Sequence, residues 1–264
     1  MKTVISNLLP RLRLLRTAVG RRFIYSDIVQ MARSYGIEYR DVTGDIEPFE
    51  FIEAVLGRYP DGCPNFQSLE KDASLFAIEG LPIEANSEPS VARFVGKLAF
   101  HLDARTVVEL GSFSGWTSAH IALALQSRTN GGRLYCVEMH DQHLNALNRN
   151  LARYGLNDIV EVTRGMSLDE HVLEKLPDLI DLVFLDTSHT YPATRDEILA
   201  YLPRLAQRGC LVLHDSISAV GVRRSLAEIS TEFRRMSFAT ESSNGVTVMA
   251  RPAFFEHKRT ERIS

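Results

Sequence analysis

Two glycines lie four residues apart in the stretch TVVELGSFSGWTSAHIALAL at residues 106–125. Gly111 and Gly115 would let the backbone turn tightly after an apolar run and would let a ligand approach closely. A dinucleotide-binding turn has the pattern G-x-G-x-x-G, with a further glycine inside it. Here the residues between the two glycines are Ser-Phe-Ser. The spacing therefore disfavours a pyrophosphate ligand, and with it a nicotinamide-dependent dehydrogenase.

Two carboxylates accompany this turn. Glu109 stands just before it and has the wrong charge for a phosphate, but it suits a cationic ligand such as a sulfonium or the ammonium of an amino acid. Glu138 ends the next apolar run, where a carboxylate can accept hydrogen bonds from both hydroxyls of a ribose. Together the two acids and the two glycines indicate a ribose-bearing cation without a pyrophosphate, and S-adenosylmethionine fits that description.

A second group of polar residues follows two later apolar runs. Asp186 ends the run DLVFLD, and His214 and Asp215 end the run CLVLHD. Since neighbouring parallel strands end at one rim of a sheet, Asp186 and Asp215 should converge, and two carboxylates repel unless a cation separates them or one holds a proton. Mg²⁺ is a natural solution because it prefers oxygen ligands. Coordination by His214 would favour a softer ion such as Mn²⁺ or Fe²⁺, and a His214 that points into the core is the alternative.

His189 lies three residues after Asp186, in the segment TSHTY. Methyl transfer to a hydroxyl requires removal of the acceptor proton as the oxygen attacks the methyl group in line, and a histidine near neutral pH suits that step. We therefore predict His189 as the general base, with Asp186 as the second catalytic residue. A structural histidine that bonds the backbone beside Tyr191 is the alternative.

The chain has the pattern of a sheet that could bring these residues together. Short apolar runs rich in Val and Leu alternate with segments of helical spacing, and the runs lie at 106–111, 133–139, 159–165, 181–186 and 210–215. Repeated strand–helix alternation predicts an α/β fold with a doubly wound, mostly parallel sheet. Two further strand-like runs surround Asn244-Gly245, a strong hairpin signal, so we expect an antiparallel hairpin at the end of the chain.

The N-terminal third has a different character. We predict a mainly helical extension over residues 1–85, serving as a lid or in dimerisation, and the main domain over 86–264. Residues 1–26 contain six basic residues and no acid, which suits a helix packed on the domain or on a second subunit. A transit peptide or a membrane-surface helix is the alternative. Ser87 or Ser90 is expected to cap the helix that leads into the first strand.

Composition excludes several classes of protein. The 264 residues have a formal net charge of −3, which argues against a nucleic-acid partner because binding to phosphates needs a surplus of Lys and Arg. No stretch approaches the roughly 20 apolar residues of a membrane-spanning helix. The three cysteines are scattered, without metal-type spacing, and two lie in apolar runs. Buried thiols in a reducing compartment, and hence a cytoplasmic location, are expected.

Three stretches together resemble class I S-adenosylmethionine-dependent methyltransferases. They are VVELGSFSGWTS, LYCVEMHDQHLNALNRNLARYGLNDIVEVTRG and IDLVFLDTSHTYPATRDEILAYLPRLAQRGCLVLHD. The third is similar to a bacterial small-molecule O-methyltransferase branch that includes macrolide-sugar O-methyltransferases and cephalosporin-hydroxylase-like proteins. The resemblance extends over residues 86–250 and implies a Rossmann-like, seven-stranded sheet.

The resemblance also implies roles for individual residues. The cofactor would contact Ser112 in the turn, Met166 and Ser167 after the third strand, and Asp186. Acids at the ends of the fourth and fifth strands would hold a divalent metal, Mg²⁺ or another ion, that orients an acceptor hydroxyl pair. By position these are Asp186 and Asp215, and His214 stands where relatives often have a carboxylate or an amide.

We therefore expect an S-adenosylmethionine-dependent O-methyltransferase that acts, as a homodimer, on a small hydroxylated molecule. Sugars, polyketides and phenols of natural-product biosynthesis are the candidate acceptors. An N-methyltransferase of nucleobases or glutamine would usually carry an Asn/Asp-Pro-Pro-Tyr segment after the fourth strand, where this chain has DTSH. A non-catalytic or non-methylating protein that retains the cofactor-binding fold is the alternative.

Overall fold

A computed structural model describes residues 62–229, 232–238, 240 and 244–255. Within these residues seven strands form one sheet in the order β3-β2-β1-β4-β5-β7-β6. The strands are β1 (Thr106–Leu110), β2 (Arg133–Glu138), β3 (Val160–Arg164), β4 (Ile180–Leu185), β5 (Leu205–Leu213), β6 (Arg234–Phe238) and β7 (Val246–Ala250). Strands β1 to β5 are parallel, and β7 pairs antiparallel with both β5 and β6. The predicted mostly parallel α/β sheet with a C-terminal antiparallel hairpin is confirmed.

Helices connect the parallel strands, as the alternating pattern predicts. They are α1 (Gln67–Lys71), α2 (Pro89–His101), α3 (Trp116–Gln126), α4 (Asp141–Arg153), α5 (Glu170–Lys175), α6 (Tyr191–Tyr201), α7 (Val220–Glu228) and α8 (Pro252–Phe255). None of these described helices is long and apolar enough to cross a membrane.

The central strands are buried on both faces, which explains their nearly continuous hydrophobicity. In β4, Leu182 and Phe184 belong to one apolar cluster with α2 and α3, whereas Val183 and Leu185 belong to a second cluster with α6 and α7. Alternate side chains of a strand point to opposite faces, so a two-layer core needs apolar residues at every position. The sheet is thereby fixed between two helical layers, with its carboxyl-terminal rim free for a site.

Two boundaries differ from the sequence prediction. β5 begins at Leu205 rather than at residue 210, because its polar first half continues the strand past a register shift opposite β4. The hairpin does not use Asn244-Gly245 as a two-residue turn, since Phe238 pairs with Val246 and seven residues lie between them. The carbonyl oxygen of Asn244 accepts a 2.8 Å hydrogen bond from the Ile217 N–H instead. This contact ties the end of the hairpin loop to the segment after β5.

The predicted extension is described only from residue 62 onward, and residues 1–26 lie outside the described residues. Phe66, Leu69 and Phe76 pack into the same apolar cluster as α2 and α3. Helix α2 begins at Pro89 with Glu88 as its N-cap, and no side chain caps it. The predicted serine cap is wrong, since Glu88 is the N-cap, Ser87 donates to Asp186 instead, and Pro89 begins the helix with a φ that already suits it.

Candidate active site

The segment between β1 and α3 forms the tight turn that the spacing of Gly111 and Gly115 predicts. Gly111 and Gly115 have φ of +84° and +85°, in the left-handed region that favours glycine. A Cβ on Gly111 would lie 2.1 Å from the carbonyl oxygen of Asp186, and one on Gly115 would lie 2.7 Å from Leu147 Cδ1. Gly111 therefore lets the end of β1 approach the end of β4 backbone to backbone.

The carboxylate of Glu138 fixes the other side of this turn. Its Oε2 accepts the Phe113 N–H at 2.9 Å, and its Oε1 accepts the N–H groups of Met139 and His140 at 2.8 and 2.9 Å. A carboxylate offers about four acceptor sites, so one site on Oε2 is left for a ligand. Glu138 thus joins the turn to the end of β2 and still presents an acceptor to the space beside it.

That space is a cavity of about 350 Å³ at the carboxyl ends of the central strands. Most of its wall is apolar, with Val137, Met166 and Leu168 among the lining residues. Five of the predicted cofactor residues line it: Gly111, Glu138, Met166, Ser167 and Asp186. The remaining three, Glu109, Ser112 and Gly115, are not among its lining residues. A mostly apolar pocket with a few placed polar groups is typical of a cofactor site.

Glu109 lies beneath the turn rather than in the cavity. Its Oε2 accepts a hydrogen bond from the Ser118 hydroxyl and another from the Cys136 thiol at 3.4 Å. Burial raises the pKa of Glu109 to about 7, although these hydrogen bonds oppose the shift. The side chain is therefore enclosed by neutral donors and is not among the residues that line the cavity.

Ser167 and Glu197 both line the cavity and are joined by a hydrogen bond. The Ser167 hydroxyl donates to Glu197, and the Thr187 hydroxyl donates to the same carboxylate at 2.8 Å. Tyr201 donates to the Ser167 carbonyl oxygen at 2.6 Å. Met166, another lining residue, is 58% exposed. Glu197 was not predicted to line the cavity, because a single acidic residue on an amphipathic helix is usually exposed to solvent.

The second group of predicted residues comes together at the ends of β4 and β5. Asp186 Oδ1 lies 3.1 Å from His189 Nε2 and 3.1 Å from His214 Nδ1. The second nitrogen of His189 lies 3.2 Å from Asp215 Oδ2, and His214 Nδ1 lies 3.7 Å from Asp215 Oδ1. Two histidines and two aspartates therefore form one continuous cluster, which we call the acceptor cluster. Since Asp186 also lines the cavity, the two predicted sites share a wall.

Local backbone geometry aims His189 and Asp215 at each other. Both residues have positive φ, 54° and 52°, and a non-glycine residue in such a conformation costs on the order of 1–3 kcal/mol. Gly221 at the start of α7 makes the approach possible, because a Cβ there would lie 2.3 Å from the His189 carbonyl oxygen. Of the four described non-glycine residues with positive φ, these two contact each other within the acceptor cluster, and a third, Phe113, lies in the glycine turn.

The charges of the acceptor cluster are strongly coupled. Burial alone would raise the pKa of Asp186, but the charges and hydrogen bonds of His214 and His189 lower it well below the usual range. Burial would lower the pKa of His214, but Asp186 and Glu88 raise it well above its ordinary value, and the pKa of His189 is raised by Asp186 and Asp215 in the same way. The imidazolium rings thus supply positive charge between the two carboxylates.

The donor atoms of the acceptor cluster also fit a metal ion. One ligand atom from each of its four residues lies within 4.8 Å of the others. Two atoms bound to one ion at about 2.1 Å would lie roughly 3.0 Å apart in octahedral geometry and roughly 3.4 Å apart in tetrahedral geometry. The distances from His214 Nδ1 to Asp186 Oδ1 and Asp215 Oδ1, 3.1 and 3.7 Å, are close to these values.

Two residues just before α2 complete the acceptor cluster, and the sequence analysis missed their role. Ser87 donates to Asp186 Oδ2 at 2.7 Å, and Glu88 Oε2 accepts from His214 Nε2 at 2.6 Å. From sequence, Ser87 is predicted only as a cap for the helix. The residue that could have indicated this role is Pro89, because proline favours the first position of a helix. It places Ser87 and Glu88 at the N-terminal end of α2, next to the rim of the sheet.

Residues 108–216, which contain both sites, match a protein family described as a methyltransferase domain. A catechol O-methyltransferase of Niastella koreensis is 29% identical over 170 residues, or 62% of this chain and 73% of that protein. A catechol O-methyltransferase of Mycobacterium tuberculosis is 32% identical over 132 residues, or 47% of this chain and 54% of that protein.

Two solved structures of O-methyltransferases have a similar fold. The O-methyltransferase of Bacillus cereus in complex with S-adenosylhomocysteine (SAH) has a TM-score of 0.61 at 21% identity, over 76% of this chain and 96% of that one. The O-methyltransferase TomG of Streptomyces achromogenes, involved in tomaymycin synthesis and in complex with SAM, has a TM-score of 0.59 at 22% identity, over 72% and 91%. At these identities the likeness shows the fold.

Proposed function

We propose that this chain, a class I S-adenosylmethionine-dependent O-methyltransferase, methylates one of two adjacent hydroxyls on a small phenolic molecule of the catechol type. The observation that supports this most strongly is the shared wall at Asp186, which lines the cavity and belongs to the acceptor cluster. A methyl donor in the cavity and a hydroxyl at the cluster would therefore be neighbours. The names of the two curated relatives support the acceptor class. Sugars and polyketides with vicinal hydroxyls are the next acceptors to test.

On the cofactor side, Glu138 would accept a ribose hydroxyl through the free site on Oε2. The apolar wall around Met166 would cover the adenine, with Ser167 beside it. Gly111 would present backbone to the methionine part of the cofactor, and Ser112 and Gly115, which do not line the cavity, would contribute by shaping the turn behind it. Glu109 would act from below by holding α3 against β1 through Ser118, so its role in binding would be indirect.

On the acceptor side, His189 is proposed as the general base and Asp186 as the group that orients it. Both nitrogens of His189 face carboxylates, at 3.1 and 3.2 Å, so the ring is held in one position beside the cavity wall. To accept the hydroxyl proton the ring must first be neutral. A positioned base contributes about 10²- to 10⁴-fold, and holding the two reactants in line can contribute more.

We further propose that Asp186, His214 and Asp215 hold a divalent ion. Such an ion would supply positive charge next to the acceptor oxygens and bind both hydroxyls of a diol. A mixed nitrogen and oxygen donor set favours Mn²⁺, Fe²⁺ or Co²⁺ over Mg²⁺. Because the imidazolium rings already balance the carboxylates, the cluster has a positive partner with or without a metal.

The test is a methyl-transfer assay with labelled S-adenosylmethionine and three acceptors, namely a catechol, the matching monophenol and a sugar diol. Each would be run with Mn²⁺, with Mg²⁺ and with EDTA, and SAH binding would be followed by calorimetry. Transfer to the catechol and not to the monophenol would support the proposal. SAH binding without transfer to any acceptor would favour a non-methylating protein, and absence of SAH binding would contradict the cofactor site.

Glu138→Ala supplies the matched variant for the cofactor half. It leaves three backbone N–H groups without their acceptor, so we expect SAH affinity to fall about 100-fold. Glu161→Ala removes an exposed acid from the neighbouring strand β3 and should leave SAH affinity unchanged.

The extension remains a separate proposal. We propose that residues 1–85 form a helical lid or a dimer contact and that the chain is a homodimer in the cytoplasm. Deletion of residues 1–26 should then convert the dimer to a monomer, as measured by the mass in solution, or change turnover. If both stay the same, the basic segment has no such role.

A further inference from the structure

We propose that Glu88 is a positioning residue that fixes the orientation and tautomer of His214, so that Nδ1 of the ring faces Asp186 and Asp215. The inference rests on the proposed acceptor site and deepens it, because it determines which atom of His214 is offered to a substrate or a metal. The juxtaposition joins residues 126 positions apart in the chain, one before α2 and one after β5.

Glu88 is not used by the helix that it begins. As the N-cap residue of α2 it could accept an N–H of the first turn, yet it makes no side-chain capping bond. Its side chain is 7% exposed and points towards the end of β5. A buried carboxylate that forgoes its local partner must have others, since an unpaired buried charge is very costly.

Both oxygens of Glu88 have partners from distant parts of the chain. Oε2 accepts the Nε2–H of His214 at 2.6 Å, and Oε1 accepts the Thr240 hydroxyl at 2.7 Å. The same Thr240 oxygen accepts the Gly245 N–H at 3.0 Å, so the direction of the hydroxyl is fixed as well. The carboxylate is therefore held between α2 and the hairpin loop and cannot rotate away from His214 without losing one of these bonds.

This arrangement assigns the two ring nitrogens of His214 to different tasks. A carboxylate only accepts, so in the imidazolium the Nε2–H donates to Glu88 and the Nδ1–H donates to Asp186 at 3.1 Å, and Nδ1 is the nitrogen that faces the acceptor cluster. Histidine ligands of metals commonly donate their other N–H to a carboxylate, which fixes the ring and strengthens the ligand. A divalent ion that binds Nδ1 would displace only the proton on that nitrogen, which leaves to solvent, while the Nε2–H stays on Glu88.

The test uses Co²⁺ as a spectroscopic probe with the full-length protein. Visible absorption reports nitrogen ligation directly, and competition with Mg²⁺ gives the affinity for an oxygen-preferring ion. In Glu88→Gln the amide can donate as well as accept, so Nε2–H is no longer enforced. We expect Co²⁺ affinity to fall about 10- to 100-fold, with a shifted spectrum, while SAH affinity is unchanged.

Two further variants make the result specific. Thr240→Val removes one bond to Glu88 without touching His214, so a smaller loss of Co²⁺ affinity in the same direction is expected. Glu84→Gln changes an exposed acid four residues earlier and should have no effect. An unchanged Co²⁺ spectrum and affinity in folded Glu88→Gln would overturn the proposal.

A measurement without metal separates this inference from the proposed function. Long-range ¹H–¹⁵N NMR spectra of the histidine rings, with the His214 signals assigned through His214→Gln, report which nitrogen carries the proton. If Co²⁺ does not bind the wild-type protein, the metal proposal fails, and the NMR result decides on Glu88 alone. A protonated Nε2 in the wild type, with an Nε2 that lacks its proton in part of the Glu88→Gln molecules and in a smaller part of the Thr240→Val molecules, supports the role. Identical spectra in all three proteins refute it.

Discussion

The carboxylates on the two sides of Gly111 are held by different kinds of partner. On the cofactor side, Glu109 and Glu138 accept hydrogen bonds from a hydroxyl, a thiol and backbone N–H groups, and a single imidazole nitrogen, His143 Nδ1, lies 3.3 Å from Glu138 Oε1. On the acceptor side, Asp186 and Asp215 face imidazole rings. Backbone and hydroxyl donors keep the same charge at any ordinary pH, whereas an imidazole ring can lose its charge or give up a nitrogen to a metal. The donors on the cofactor side therefore mostly keep their charge, whereas both aspartates on the acceptor side face groups that can change theirs.

This difference matches the work proposed for each side. A cofactor that binds in one pose benefits from donors that need no reorganisation. A site that removes a proton must change its own charge during each turnover. The predictions below test whether the two sides are in fact independent, beginning with the residue that joins them.

Gly111→Ala should have the largest effect, because its Cβ would lie 2.1 Å from the Asp186 carbonyl oxygen. Either β1 or β4 must move, which disturbs the cofactor turn and the acceptor cluster together. We expect turnover to fall by more than about 1000-fold, equivalent to about 4 kcal/mol, with weakened SAH binding. Kinetics and calorimetry on the purified variant would measure both losses.

Gly131→Ala is the matched control for this change. Gly131 also has a positive φ, of +73°, but a Cβ there meets nothing within 4 Å. It therefore carries the same conformational cost, about 1–2 kcal/mol in stability, without the collision. Equal loss of turnover in the two variants would mean that backbone strain, and not contact between the two sides, explains the result.

His189→Gln should separate the two sides. The glutamine can still bond one aspartate but cannot act as a base near neutral pH, so kcat should fall about 10²- to 10⁴-fold. SAH affinity should stay within twofold of the wild type, because His189 does not line the cavity. A large change in SAH affinity would show that the sides are coupled through His189.

Gly221→Ala should also lower kcat, but by less than His189→Gln, because it displaces His189 without replacing it. Its Cβ would lie 2.3 Å from the His189 carbonyl oxygen, so α7 or the His189 loop must shift while every chemical group is retained. A displacement of about 1 Å can cost about 100-fold in rate. We therefore expect kcat to fall with SAH affinity unchanged, and full kcat would show that the position of the loop is not critical.

The strands could be predicted from sequence because burial on both faces leaves an uninterrupted apolar run. Residues such as Val183 and Phe184 in β4 carry that signal whichever cluster they join. The ends of these strands were also predictable, and Asp186, His214 and Asp215 follow from them. The start of β5 was not, since Gln207 and Arg208 are exposed in the strand and have no apolar pattern.

Glu88 shows what local reasoning cannot reach. The rules for helix starts assume that a polar side chain at the N-cap turns back to its own helix. Glu88 instead bonds His214 and Thr240, which lie more than a hundred residues away in the chain. Only the tertiary fold brings these residues together, and no spacing along the sequence encodes it.

The smallest effect at neutral pH is expected for Glu109→Gln. Burial raises the pKa of Glu109 from 4.5 to about 7, so the folded protein holds a proton there that the unfolded chain releases. Wild-type stability from this group is fully present below pH 4.5 and is lost as the pH rises to about 7. The shift corresponds to at most about 3 kcal/mol across that window. The variant cannot titrate and should lack this dependence.

Thermal unfolding of wild type and Glu109→Gln from pH 4.5 to 7.5 would measure this difference directly. The variant should be the relatively more stable protein at the upper end of the range, with turnover within threefold of the wild type, because its neutral partners Ser118 and Cys136 can still donate to the amide oxygen. Asp186→Asn is the matching change on the acceptor side, and there removal of the charge leaves two imidazolium rings without their common partner. If Glu109→Gln lost as much activity as Asp186→Asn, neutral and charged partners would not distinguish the two sides.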